Sequence, residues 1–155
     1  MLAWNRAETL LDDWGNYPAE ERNVVWHHFA HPRLRSLMLN WEQEARTLLA
    51  IFRMQSGQHL DDAWFTSMIE QLQEVSPEFH AWWLLHEVRQ QRELPIAFSH
   101  PQIGSLHLQP ITVQFSYDQG LYMRVLLPVA ETDTAAKLLK LMCEQSEYED
   151  SSGAK

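Results

Sequence analysis

The sequence is short of most of the residues on which recognisable chemistry is built. It has one cysteine, Cys143, so a single chain can form neither a disulfide framework nor a cysteine-based zinc site, and a reducing cytoplasm fits it. Lysine and arginine number 12 against 21 aspartates and glutamates, a net charge of −9, which repels phosphate backbones and argues against nucleic-acid binding by this chain alone. Glycine is scarce, at five residues, and no glycine-rich phosphate loop is present. No apolar run approaches the roughly 20 residues that span a bilayer, and the opening Met1-Leu2-Ala3-Trp4-Asn5-Arg6 lacks the basic-then-apolar order of an export signal. What the chain does have is bulk. Seven tryptophans, six phenylalanines and six methionines stand among 155 residues of which 45% are apolar, enough for one folded domain with a proper core.

The first half reads as successive helices. Leu10, Leu11 and Trp14 recur at helical spacing over Arg6–Trp14 and meet a stop at Gly15-Asn16-Tyr17-Pro18. A second helix is expected over Glu20–Ala30, ending before His31-Pro32 because a residue that precedes proline avoids helical geometry. A third, over Pro32–Gln55, carries Leu34, Leu37, Met38, Trp41, Ala45, Leu48, Leu49 and Phe52 with a break near Leu39-Asn40, and Gly57 closes it. Asp61 or Asp62 caps a fourth. Ser76-Pro77-Glu78 starts a fifth, which is expected to reach about Arg89: serine suits the cap, proline the first helical position, and glutamate the positive end of the helix dipole. After Arg92 the apolar period falls from 3.6 to 2, which predicts a hairpin of Leu106–Phe115 and Leu121–Val129 turning at Asp118-Gln119-Gly120. Thr132 or Thr134 caps a last helix, and 147–155 reads as a polar, frayed tail.

Enzyme chemistry finds little support. His27 and His31 could share a helix face, but further ligands and a second shell are missing, Pro32 disturbs the geometry, and no HExxH or Cys/His spacing occurs, so capping and surface roles explain the histidines better than a metal. There is no Gly-x-Ser-x-Gly turn, and nothing local to Cys143 clearly activates its thiol. The pairs Asp12-Asp13, Glu20-Glu21 and Asp61-Asp62 are sequence neighbours that splay apart or cap helices. Neither an enzyme nor a resident cofactor is expected. The aromatic and methionine content fits either a filled core or the lining of an apolar cavity.

Several segments, taken in order, carry a resemblance. They are Leu2-Ala3-Trp4-Asn5, Pro18-x-x-x-Arg22-Asn23, Phe29-x-x-Pro32-x-x-Arg35, Trp41-Glu42, Ala45-Arg46 and Phe52-Arg53, then Ser76-Pro77-Glu78-Phe79, Trp83-x-x-His86-Glu87-Val88 and His100-Pro101-x-x-Gly104-x-Leu106. Together they resemble the MmyB-like ligand-binding domain that follows the helix-turn-helix in XRE-class bacterial transcription regulators. The resemblance implies an α+β fold, a PAS-like antiparallel sheet with a large helical insertion. The sensor domain would occupy residues 1–146, with 147–155 as a tail. It further implies that Leu2–Asn5 ends an early strand, and that the chain is an N-terminally truncated form lacking the helix-turn-helix domain. Asn5, Arg22, Arg53 and Gly104 also admit purely structural roles as a cap, carbonyl binders and a turn.

The function implied is ligand sensing in the cytoplasm by a homodimer that contacts DNA only through the missing domain. The ligand would be a small apolar or fatty-acid-like molecule; the alternative is a ligand-free protein-interaction and dimerisation module. If the fold is PAS-like, one face of the hairpin meets the helices, with Leu106, Leu108, Val113, Phe115, Met123 and Val125 as candidates for it and Pro110 permitting a register shift between Leu108 and Val113. The expected ligand-binding residues are Val113, Phe115 and Met123 of the hairpin, opposed by Phe52, Phe79 and Trp83, with Arg53 or His86 meeting a polar head.

Overall fold

Local capping chemistry sets the helix starts. The computed structural model describes residues 1–57, 62–85, 94–116 and 118–152, the last eight of these and 118–121 by backbone only. Asn5 opens α1 (Arg6–Leu11), its side chain accepting from the Glu8 amide. Residues 1–5 therefore form no strand. This corrects the expected early strand at Leu2–Asn5: the Asn5 carboxamide commits the backbone to a helix entry instead. A short 3-10 turn at Trp14–Asn16 follows.

The chain separates into two compact units, and the second is interrupted in sequence by the first: Met1–Leu2 with Tyr17–Arg92, and Ala3–Asn16 with Glu93–Lys155. The first unit is helical. A 3-10 turn, Ala19–Glu21, precedes α2 (Val24–Ala30), so the expected helix from Glu20 starts later, because Asn23 accepts from the amides of Val25 and Trp26 and resets the start. His31 and Pro32 end α2 and begin α3 (Pro32–Leu37), and the break expected near Leu39-Asn40 separates α3 from α4 (Trp41–Gly57). Asp62 caps α5 (Ala63–Val75) and Ser76 caps α6 (Pro77–Leu84). The expected continuation of this helix to Arg89 enters 86–93, outside the described residues, as does His86.

The second unit holds α1, a three-stranded antiparallel sheet of order β1-β2-β3, and α7 (Thr134–Ser152). Sequence periodicity missed β1 (Ile96–His100), a five-residue strand that pairs with the start of β2 (Gly104–Phe115). β3 (Asp118–Pro128) begins at the residues expected to form the turn, so the reversal comes earlier, directly after Phe115. Gly104, at φ +74°, follows the β1–β2 turn in a conformation that side chains oppose. The α7 backbone continues to Ser152, beyond the point where a polar tail was expected.

Pairing from Leu108↔Pro128 to Gln114↔Tyr122 is regular, and the irregularity lies between Gln114 and Phe115 rather than at Pro110. β1 pairs only as far as Leu108, so β2 is an edge on that side at Pro110, where a missing N–H costs little. Regular pairing puts Leu106 and Leu108 on one face and Val113, with its partner Met123, on the other; the expectation of a shared face is corrected. The face bearing Leu106 and Leu108 is the core side of this unit. Ile96, Leu106, Leu108 and Leu141 of α7 are all buried there. His100 Nε2 meets the Leu10 carbonyl of α1 at 3.1 Å, and Thr134 Oγ1 accepts from the His107 amide at 2.9 Å, tying both helices to the sheet.

Candidate functional site

In the helical unit the sequence-predicted residues converge, but on each other. Phe79 is fully buried on α6 and stacks on Trp83 one turn along, with ring centroids 5.4 Å apart at 11°. Phe52 of α4 lies 6.1 Å from Trp83 and 6.4 Å from Phe79, and is itself only 3% exposed. The cluster extends to Phe65 on α5 and Phe29 on α2, neither of which was singled out in the sequence. Trp41 and Trp82 lie beside it, each with an arginine, Arg35 and Arg46 respectively, 4.0 Å over its ring. These rings sit edge-on, tilted or stacked at contact distance, as aromatic side chains do in a packed core.

Arg53 has a local task. Its Nη2 donates to the carbonyls of Trp82 and Trp83, at 3.0 and 2.9 Å, and its guanidinium lies 5.0 Å over the Trp83 ring. These carbonyls lie at the C-terminal end of α6, the negative end of its dipole, so a cation is stabilising there. Arg22 serves similarly, donating from Nε to the Tyr17 carbonyl at 2.9 Å. His27 is buried, with its ring 4.3 Å from that of His31 and 4.2 Å from that of Tyr17, and His31 Nε2 lies 3.6 Å from Glu21. Among the described residues no group of three or more histidine, cysteine or acidic side chains could hold a metal ion.

The sheet unit presents a different surface. On the face opposite Leu106 and Leu108, Ile111 pairs with Val125, Val113 with Met123 and Gln109 with Leu127. Directly paired residues share a face, so these side chains form one continuous strip in which only Gln109 is polar. Ile111, Val113, Met123 and Leu127 are each 40–47% exposed. Sequence analysis named Val113 and Met123 but not Ile111 and Leu127 as site residues; counting by twos from Val113 on β2 gives Ile111, and from Met123 on β3 gives Leu127. Phe115, also expected here, is half-buried beyond the irregularity and pairs with Asp118.

The core side of the same sheet carries a polar cluster that sequence reasoning missed. Trp14, buried, donates from its indole nitrogen to Glu8 Oε1 at 3.2 Å, and Asp12, also buried, stands one turn from Glu8. Burial pushes the Glu8 carboxyl above its ordinary value of 4.5; the Trp14 hydrogen bond opposes this, Asp12 adds to it, and Arg124 of β3 opposes it. A carboxyl raised on folding adds stability that is complete below pH 4.5 and is lost as pH rises through its folded value. Glu8→Gln retains an acceptor for Trp14 and removes the ionisation. It should raise the melting temperature at pH 7 to 8, with the gain shrinking to nothing in melts below pH 4.5; a gain independent of pH would show that burial does not control this carboxyl.

Of these arrangements the strip offers apolar surface to an added molecule. No helix among the described residues is long and apolar enough to cross a membrane. Among models of known families, the one described as MmyB-like transcription regulator ligand binding domain matches residues 1–142. None of the curated proteins matches the chain.

Proposed function

This chain belongs to the MmyB-like transcription regulator ligand binding domain family, and on that premise we propose that it senses a small apolar or fatty-acid-like molecule. The family is a regulatory, ligand-binding one and not a class of enzymes. The observation that carries the choice of ligand is the exposed strip of Ile111, Val113, Met123 and Leu127, which bears no charge in a chain of net charge −9. An alkyl tail laid on it gains about 0.8 kcal/mol for each methylene fully withdrawn from water, while a polar head needs only to remain hydrated. The same charge argues that DNA would be contacted by another domain of a complete regulator, working in the cytoplasm. A second reading, a ligand-free dimerisation module, draws its support from the way Phe52, Phe79 and Trp83 close on one another.

The test is titration of delipidated protein with a saturated long-chain fatty acid below its micelle concentration, read by native mass spectrometry and calorimetry. Binding is expected, and Val113→Glu should weaken it at least about tenfold, since a buried charge beside the tail would have to be desolvated. The melting temperature should change little, because Val113 is already 40% exposed. Absence of binding by the unmodified chain would favour the ligand-free module, and equal binding by Val113→Glu would move the site off the strip.

A further inference from the structure

The strip has two unlike ends. Pairing along β2 is regular from Gly104 to Gln114, so alternation carries the exposed face past Ile111 and Gln109 to His107 and Ser105. Ala97 and Ser99 of β1 pair with His107 and Ser105 and share their face. At the β1 end the apolar side chains therefore give way to an amide, an imidazole and two hydroxyls, with no carboxylate among them. Lys137 of α7 reaches the same end, its Nζ bonded to the Ser105 carbonyl at 2.9 Å and to Asp133 at 3.0 Å, which balances its charge. At the opposite end the register places Asp118 against Phe115, where the hairpin reverses. An alkane would gain nothing from this difference. A long-chain acid would, because its carboxylate is repelled by an aspartate and held by N–H and O–H donors.

His107 is fixed for such a role. Its amide donates to Thr134 Oγ1 at 2.9 Å and its carbonyl accepts from the Val129 amide at 3.0 Å, so the backbone is held on both counts and the side chain stands on the face of the strip. Among the described residues its half-buried ring has no hydrogen-bond partner, and an imidazole has an N–H to donate whether or not it is protonated. Resting on the ligand reading above, we propose that His107 anchors the head group at the strip: a long-chain monocarboxylic acid lies along β2 with its carboxylate at the His107 ring, flanked by Gln109 and Ser105, and its tail runs past Ile111 toward Val113 and Met123. From His107 to Val113 the strand spans about 20 Å. A chain too short to reach Val113 forfeits burial at the far end, so the site prefers long acids to short ones. The head falls to a residue that sequence analysis did not single out, while Arg53 is committed to the carbonyls of α6.

The delipidated full chain is titrated with palmitate and with methyl palmitate and read by native mass spectrometry. His107→Leu should lower affinity for palmitate at least about tenfold, as loss of a charge-assisted hydrogen bond does, and leave that for the ester as in the parent. His107→Gln keeps an N–H donor and should recover most of the palmitate affinity. Both variants should melt as the parent does, because the bonds to Thr134 and Val129 are made by the backbone. Doxyl-labelled stearic acid gives the direction on the parent chain, without any substitution: a label beside the carboxyl should broaden the His107 ring resonances, and one near the methyl end the Met123 methyl resonance. The reverse pattern, or an equal loss of acid and ester in His107→Leu, would overturn the anchor. Unchanged palmitate binding by His107→Leu would overturn it as well and leave the ligand reading intact, whereas a parent chain that binds no palmitate would overturn both.

Discussion

Phe79→Ala should destabilise the helical unit by about 3–5 kcal/mol, as removal of a buried aromatic ring from a well-packed core does. Phe79 has no exposed surface. Its ring is held by contacts from three other helix positions: Phe29 of α2 at 5.1 Å, Phe52 of α4 at 6.4 Å, and Trp83 of its own helix at 5.4 Å. The cavity left behind could not be closed by one side chain, because its walls belong to separate helices fixed by their own caps, among them Asn23 and Ser76. Urea unfolding followed by far-ultraviolet circular dichroism measures the loss. A cost under about 1.5 kcal/mol, together with altered fatty-acid affinity, would mean that these rings surround a ligand space and not one another. The outcome thus bears on function, since Phe52, Phe79 and Trp83 are side chains that the resemblance assigned to ligand binding and that a filled core would also use.

How legible the molecule was depended on how local the determining physics is. Ser76-Pro77-Glu78 announces α6 because cap, first-turn proline and dipole-facing carboxylate are adjacent, and the Ser76 hydroxyl does accept from the Phe79 amide at 3.2 Å. Asp62 and the break after Leu37 were legible for the same reason. Asn5 was read two ways, as a helix cap and as the end of a strand, and its side-chain bond to Glu8 favours the cap. β1 was missed because Ile96-Ala97-Phe98-Ser99-His100 is too short to display alternation, and its partner lies across a turn marked chiefly by Gly104. The strip was not legible as such: Val113 and Met123 were expected on the face that meets the helices, because Pro110 invited a register shift that an unpaired edge makes unnecessary, and regular alternation puts them on the exposed face. The Glu8, Asp12, Trp14 and Arg124 cluster could not be read at all. It joins α1 to β3 across the whole inserted helical unit, and neither periodicity nor motif connects residues so distant in sequence.

Arg53→Met should cost about 2–3 kcal/mol, roughly what is lost when charge-assisted hydrogen bonds are removed. Methionine keeps much of the aliphatic stem, so the loss isolates the guanidinium from its packing. Two bonds go, to Trp82 and Trp83, along with the cation over the Trp83 ring, all at the negative C-terminal end of α6. Arg53→Lys should recover about half of the loss: the charge remains favourable at the helix C-terminus, but one ammonium cannot reproduce the planar fork. Sequence analysis offered the other role, an arginine that meets the polar head of a ligand. The two roles separate on binding. A clamp on α6 predicts that folded Arg53→Lys and Arg53→Met bind a long-chain fatty acid and its uncharged methyl ester in the same ratio as the parent. An anchor for the head predicts that Arg53→Met loses affinity for the acid at least about tenfold and keeps it for the ester. Because both Nη2 bonds already run to α6 carbonyls, the expected result is an unchanged ratio with a lowered unfolding midpoint.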